Sequence, residues 1–188
     1  MNDSRERWII ETETPLLSRE PWFSVIQDSV KLPDGKIVPD FYRIKMPHYT
    51  GVFAMTENSK ILLLKCYQHS VGNVTLTVPG GMLALGEDSI SGIQRELLEE
   101  TGYVGRGWRK LGTFLGNAVR GCGTYHLFFA EGLRAEKEPD SGDLEEMEIV
   151  FWDIEQVEEG IVGGQFCSLG VISILLLGLR ELKSRGKQ

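Results

Sequence analysis

The chain has 188 residues, 41% of them hydrophobic, which suits one domain with room for a sizeable core. Its formal charge of −7 argues against bare nucleic acid or an anionic membrane as the main partner. A small anionic substrate stays open where cations neutralise it locally. Cys66, Cys122 and Cys167 are widely spaced with no Cys-x-x-Cys pair, so they read as reduced thiols of a cytoplasmic protein.

In chain order, residues 1–15 are polar and read as a loose arm with no apolar leader. Residues 22–30 and 37–46 read as two strands of a hairpin around the turn Pro33-Asp34-Gly35, with Pro39 marking a sheet edge. Residues 51–55, 60–66 and 74–78 read as further strands, the last stopped by Pro79-Gly80-Gly81. After a helix come strands at 108–115 and 124–130 around a glycine-rich loop, an acidic loop at 136–146, and a strand at 148–154. The C-terminal segment places Leu169, Ile172, Leu175, Leu176, Leu179 and Leu182 at helical spacing, as one buried face. The apolar run 166–179 is too short to span a bilayer. Strands dominate and two helices stand apart, so the expected class is α+β, with helices packed on a mixed sheet.

The helix between Gly81 and Tyr103 carries the chemistry. Started near Ser89, with Asp88 or Ser89 as N-cap and Gly102 as its left-handed end, it sets Ile90, Ile93, Leu97 and Thr101 on one side. Glu96, Glu99 and Glu100 then share the opposite side. Like charges so placed cost roughly 0.2–0.5 kcal/mol per pair in an isolated helix, so a cation is expected among them. Carboxylate oxygens favour a hard divalent ion, Mg²⁺ first.

The fixed positions Gly81, Glu87, Arg95, Glu96, Leu97, Glu99, Glu100 and Gly102 match the signature of the Nudix hydrolases, with Tyr103 where an aliphatic residue is commoner. With average residue frequencies such a match arises by accident on the order of once in 10⁷ chains of this length. The resemblance implies an α/β/α sandwich over about 51–182, and divides the chain into residues 1–50, an N-terminal arm and β-hairpin extension, and 51–188, the hydrolase domain. It further implies Glu96 and Glu100 as direct metal ligands, Glu99 as a further ligand or the residue orienting a water, and the Gly80 carbonyl as another ligand. Arg95 and Glu87 resemble the pair that braces loop against helix.

The hairpin and the stretch Cys66-Tyr67-Gln68-His69 resemble the ADP-ribose pyrophosphatase branch, which commonly dimerises through its N-terminal extension. That branch implies a general base on the loop after the motif, here Glu145 or Glu146, with Glu99 as the alternative. Gln68, His69, Gly81 and Arg120 are the residues expected to meet substrate. Gln68, Thr77 and Ala118 depart from the branch, standing where arginine, glutamate and proline are usual. The expectation is a Mg²⁺-dependent homodimer, with Mn²⁺ as the alternative ion, that splits ADP-ribose or an ADP-sugar into AMP and a sugar phosphate. Two alternatives stay open: a pyrophosphatase for another nucleotide or sugar nucleotide, and a non-catalytic nucleotide-binding sensor.

Overall fold

Alternating side chains build the first unit of the structure, a computed structural model that describes residues 7–142 and 146–185. This unit comprises residues 1–48 and 115–124; residues 49–114 and 125–188 form the second. In the first, β1 (Ile9–Arg19), β2 (Phe23–Lys31) and β3 (Ile37–Lys45) pair antiparallel in the order β1-β2-β3. Ser24, Ile26, Asp28 and Val30 alternate onto the buried face of β2, as a period of two requires. Pro39 lies on the edge strand β3, inside the register shift opposite Asp28 and Val30, where no ladder N–H is lost.

The expected loose arm over 1–15 is corrected over part of its length. Residues 9–15 belong to β1, while residues 1–6 lie outside the described part. All of β1 is exposed, so no buried face marks it in the sequence, and Pro15 is accommodated at a register shift next to Leu17. Asp28 is fully buried, and the guanidinium of Arg43 answers it with two hydrogen bonds while also reaching Glu13 at 2.5 Å. A buried carboxylate without such a partner would be costly, and the Asp28 bonds in turn hold Arg43 above its ordinary basicity.

A second, six-stranded sheet holds β4 (His48–Thr56), β5 (Ile61–Gln68), β6 (Asn73–Thr77), β7 (Tyr103–Asn117), β8 (Cys122–Ala135) and β9 (Met147–Trp152). Its order is β6-β5-β4-β8-β7, with β9 antiparallel to β5. Helices α1 (Ser89–Thr101), α2 (Ile154–Val162) and α3 (Leu169–Arg185) complete the second unit. Successive residues of β4, β5 and β8 feed two separate cores. Val52, Ala54, Leu62, Leu64, Phe128 and Ala130 pack with Ile93 and Leu97 of α1. Phe53, Ile61, Leu63, Leu127 and Phe129 pack with Val157 of α2 and Leu175 and Leu179 of α3. Both faces of these strands are covered, which makes them continuous apolar runs rather than alternating ones. The result is the expected α/β/α sandwich.

Three details differ from the sequence reading. β7 and β8 run longer, so the glycine-rich loop shrinks to a turn. Helix α2 was not expected; Ile154, Val157 and Ile161 give it an apolar face, and Gln156 Oε1 accepts the Asp153 N–H at 2.9 Å to close a capping box. The buried seam of α3 is Val171, Ile174, Leu175, Gly178 and Leu179, whereas Leu169 and Leu176 are exposed. No helix among the described residues is long and apolar enough to cross a membrane.

Close approach of α3 to β4 depends on a missing side chain. A Cβ on Gly178 would lie 2.2 Å from the ring of Phe53, which itself stacks on Phe129 at 5.6 Å. Gly178→Ala should therefore force the Phe53 ring or α3 to move and cost about 1–3 kcal/mol, read as a lower urea midpoint at unchanged slope.

Candidate active site

The loop before α1 is laid down by backbone hydrogen bonds to β4. Val52 N–H donates to Pro79 O at 3.0 Å and Thr50 N–H to Gly81 O at 2.8 Å, with a bridge between Tyr49 and Met82 beyond them. The carbonyls on either side of Gly80 are thus both engaged. Gly80 has φ +154°, and a Cβ there would lie 2.2 Å from the Thr50 carbonyl oxygen, so only glycine fits. A Cβ on Gly81 would lie 2.6 Å from the Glu96 carboxylate. Backbone therefore comes directly against an acid of the helix.

Helix α1 starts and stops as its sequence dictates. The Asp88 carboxylate accepts the Ser91 N–H at 3.3 Å, and Gly102, at φ 72°, donates its N–H to Leu98 O at 2.9 Å. Ile93, Leu97 and Thr101 are buried as expected. Glu100 is buried too, only 8% exposed, and its Oε2 accepts the Gly80 N–H at 2.8 Å. This glutamate points not to solvent but to the loop that folds over the end of the helix.

Arg95 gathers the other acids. It pairs with Glu87 at 2.9 and 3.1 Å, with Glu96 at 2.9 Å and with Glu99 at 2.9 Å. Glu87 also accepts the Ala84 N–H at 2.9 Å, so one carboxylate ties the loop to the helix. Its hydrogen bonds with Arg95, then that with Ala84, hold Glu87 below the usual carboxylate range. Glu87, followed by Glu99 and Glu96, raises the basicity of Arg95. The cation demanded by the spacing is, in the structure, this guanidinium. It faces three carboxylates, with Glu100 as a fourth beside Gly80, so acids outnumber this guanidinium four to one.

Among the described residues no group of three or more His, Cys, Asp or Glu side chains is arranged as a metal cage; Glu96 and Glu99 are turned onto Arg95. The donor chemistry nevertheless fits a hard divalent cation. The groups are carboxylate oxygens gathered at one end of a helix, and the absent Cβ of Gly81 lets backbone lie against the Glu96 carboxylate.

The remaining expected residues fall in several places. Gln68, at the end of β5, accepts a hydrogen bond from the Cys167 thiol at 3.6 Å, and the His69 ring lies 6.4 Å from that of Tyr67. Arg120 belongs to the first unit, where it donates to Tyr42 O at 3.1 Å and sits 5.8 Å over the ring of Phe41. Glu146 is exposed, and Glu145 lies outside the described residues. Sequence reasoning missed Thr50, which pins the loop, and the contact of Leu83 with Gly92, where a Cβ would lie 2.2 Å from the leucine. A glycine inside a helix was the available signal for that contact.

The fold and this loop–helix arrangement define an α/β/α protein with an acidic helix braced against a glycine turn. Residues 47–165 match the model of the NUDIX domain, and the chain belongs to the Nudix family. Nudix hydrolases generally use divalent metal ions. The chain is 30% identical over 119 residues to an ADP-ribose pyrophosphatase of Bacillus subtilis (strain 168), covering 63% of this chain and 64% of that protein. It is 31% identical over 123 residues to a methanol dehydrogenase activator of Bacillus methanolicus, covering 65% of each. The match thus spans slightly under two thirds of the length of each of these two relatives. An ADP-ribose pyrophosphatase of Mycobacterium tuberculosis (strain ATCC 25618 / H37Rv) is 26% identical over 164 residues, 81% of this chain and 75% of its own. The crystal structure of an ADP compounds hydrolase superposes with a TM-score of 0.85 over 100% of both chains at 18% identity, a likeness of fold.

The lowered Glu87 value has a sign that can be tested. A carboxyl that binds its proton less tightly in the folded chain adds stability above its ordinary value of 4.5, and this is lost as pH falls through that value. Urea midpoints of the wild type and Glu87→Gln should therefore differ above about pH 5 and converge as the solution is acidified toward about pH 3.

Proposed function

We propose that the chain is a Mg²⁺-dependent pyrophosphatase acting on a nucleoside diphosphate linked to a second group, with ADP-ribose or an ADP-sugar as substrate and AMP and a sugar phosphate as products. The observation that carries this reading is the seating of Glu100 on the Gly80 N–H, with Glu96 against Gly81 on the same helix. The two ADP-ribose pyrophosphatases among its relatives support the substrate class. Glu96, Glu99, Glu100 and the Gly80 carbonyl are the groups we assign to the ion, which supplies neutralisation of the diphosphate oxygens when bound. Mn²⁺ satisfies the same oxygen donors.

The chain's own residues divide the remaining work. Arg95 and Glu87 fix the distance between loop and helix, so a phosphate approaching the Gly80-Gly81 backbone meets the acids at a set position. A glutamate, from the 143–146 loop or Glu99 itself, takes the proton from the attacking water as the bridging P–O bond breaks. Gln68 and His69 are assigned to substrate contact. Exposed Ile9, Ile10 and Leu16 on β1 support a homodimer, which we place in the cytoplasm.

Incubation with Mg²⁺ and a nucleotide panel should release AMP from ADP-ribose or an ADP-sugar. Chelator, or Glu100→Gln, should reduce turnover by about a hundredfold or more. Nucleotide binding without turnover would instead identify a sensor. Replacing Glu145 and Glu146 by Gln, singly and together, should lower kcat far more than it raises KM, by about 10²–10⁴-fold if one of them is the base. Unchanged rates in all three variants would assign the base to Glu99. Light scattering should return twice the chain mass.

A further inference from the structure

We infer that a cavity bounded by β6, β9 and the turn between α2 and α3 is a second binding site, for an uncharged planar heteroaromatic molecule of the nucleoside class. The cavity measures about 610 Å³, within the range of roughly 300–1,000 Å³ that holds small ligands. It lies wholly within the second unit. Its apolar wall is made by Leu76, Val150 and Trp152, which pack with the core beneath α2 and α3. The acids Glu96, Glu99 and Glu100 are carried by α1, whose residues pack on the other face of the sheet. The acids assigned to the ion thus lie apart from this cavity, although Cys167 in its lining donates to Gln68, a residue assigned above to substrate contact.

Trp152 is packed on two sides. The indole of Trp152 meets Phe166 edge-on at 5.9 Å, and a Cβ on Gly160 would come within 2.8 Å of it. An aromatic held on two sides offers its remaining surface as a preorganised stacking plane. Hydrogen-bonding side chains stand in the same lining: Trp152, the exposed amides of Asn73 and Gln165, and Thr75, whose buried hydroxyl has no partner among the described residues. Asn73 uses its oxygen to accept the Val74 N–H at 2.8 Å, which fixes the orientation of its amide. Carboxamides present donor and acceptor side by side, the complement of the edge of a nucleobase.

Charge narrows the choice further. Lys65 is the basic residue lining the cavity, and its ammonium is already paired with Glu148 at 2.9 Å. A phosphate entering here would have to compete with that carboxylate, so a neutral nucleoside is favoured over a nucleotide. A purely aliphatic ligand would strip water from these polar groups and return no hydrogen bonds.

Adenosine is the probe. Equilibrium dialysis of the full chain in chelator should give one adenosine per chain with a Kd below about 1 mM, and AMP should bind about tenfold more weakly. Asn73→Ala and Gln165→Ala, each checked for an unchanged circular dichroism spectrum, should weaken adenosine about three- to tenfold. Glu100→Gln should leave it unchanged. Three results would each overturn the inference: no binding, AMP binding as well as adenosine, or binding that Glu100→Gln abolishes while both amide variants retain it.

Discussion

A buried carboxylate accepting the N–H of a glycine is the contact on which the rest of the site depends. Glu100 lies at the end of α1, and Gly80 lies in the loop that precedes that helix by several residues. The bond holds the loop down over the helix, which is the reverse of what an acidic surface helix would do. It requires glycine at position 80, since any Cβ would strike the Thr50 carbonyl. It also requires β4 to hold the loop from behind, through Val52 and Thr50. Sheet, loop and helix are in this way a single mechanical unit, and acids presented by it are positioned by backbone rather than by free side chains.

Arg95 plays the complementary electrostatic part. One guanidinium faces Glu87 from the loop and Glu96 and Glu99 from its own helix. Its planar fork lets it meet several carboxylates at once, which a lysine could not reproduce. Partial compensation is the informative feature. Arg95 keeps the acids together in the folded chain, and the carboxylates at the site outnumber it. The surplus suits a cation arriving with a polyphosphate.

How much of this was legible in the residues depended on whether a signal was local. Helix α1 was readable because its caps Asp88 and Gly102 flank a helix of thirteen residues whose apolar positions Ile93 and Leu97 obey spacing rules. The burial of Glu100 was not, because it arises from a loop twenty positions away in the chain. Strand β1 escaped because every side chain on it is exposed, so it has no hydrophobic period to detect. Helix α2 was short enough to be passed over despite the capping box at Asp153 and Gln156. In α3 the leucines themselves misled. Gly178, rather than Leu176, faces the sheet, because close packing on Phe53 excludes a side chain there. Of the expected site residues, those within the motif could be placed by spacing. Gln68, His69 and Arg120 could not, because their positions are set by strand ends and turns.

The central claim is that the acids of one helix, seated against a glycine turn, hold a divalent ion. Anomalous diffraction from a crystal soaked in Mn²⁺ with a non-hydrolysable nucleoside diphosphate analogue tests it most directly. The account predicts a peak bonded to Glu96 and Glu100, with Glu96 released from Arg95 and a phosphate oxygen completing the shell. A peak elsewhere, or none while the analogue is bound and Glu96 remains on Arg95, would contradict it.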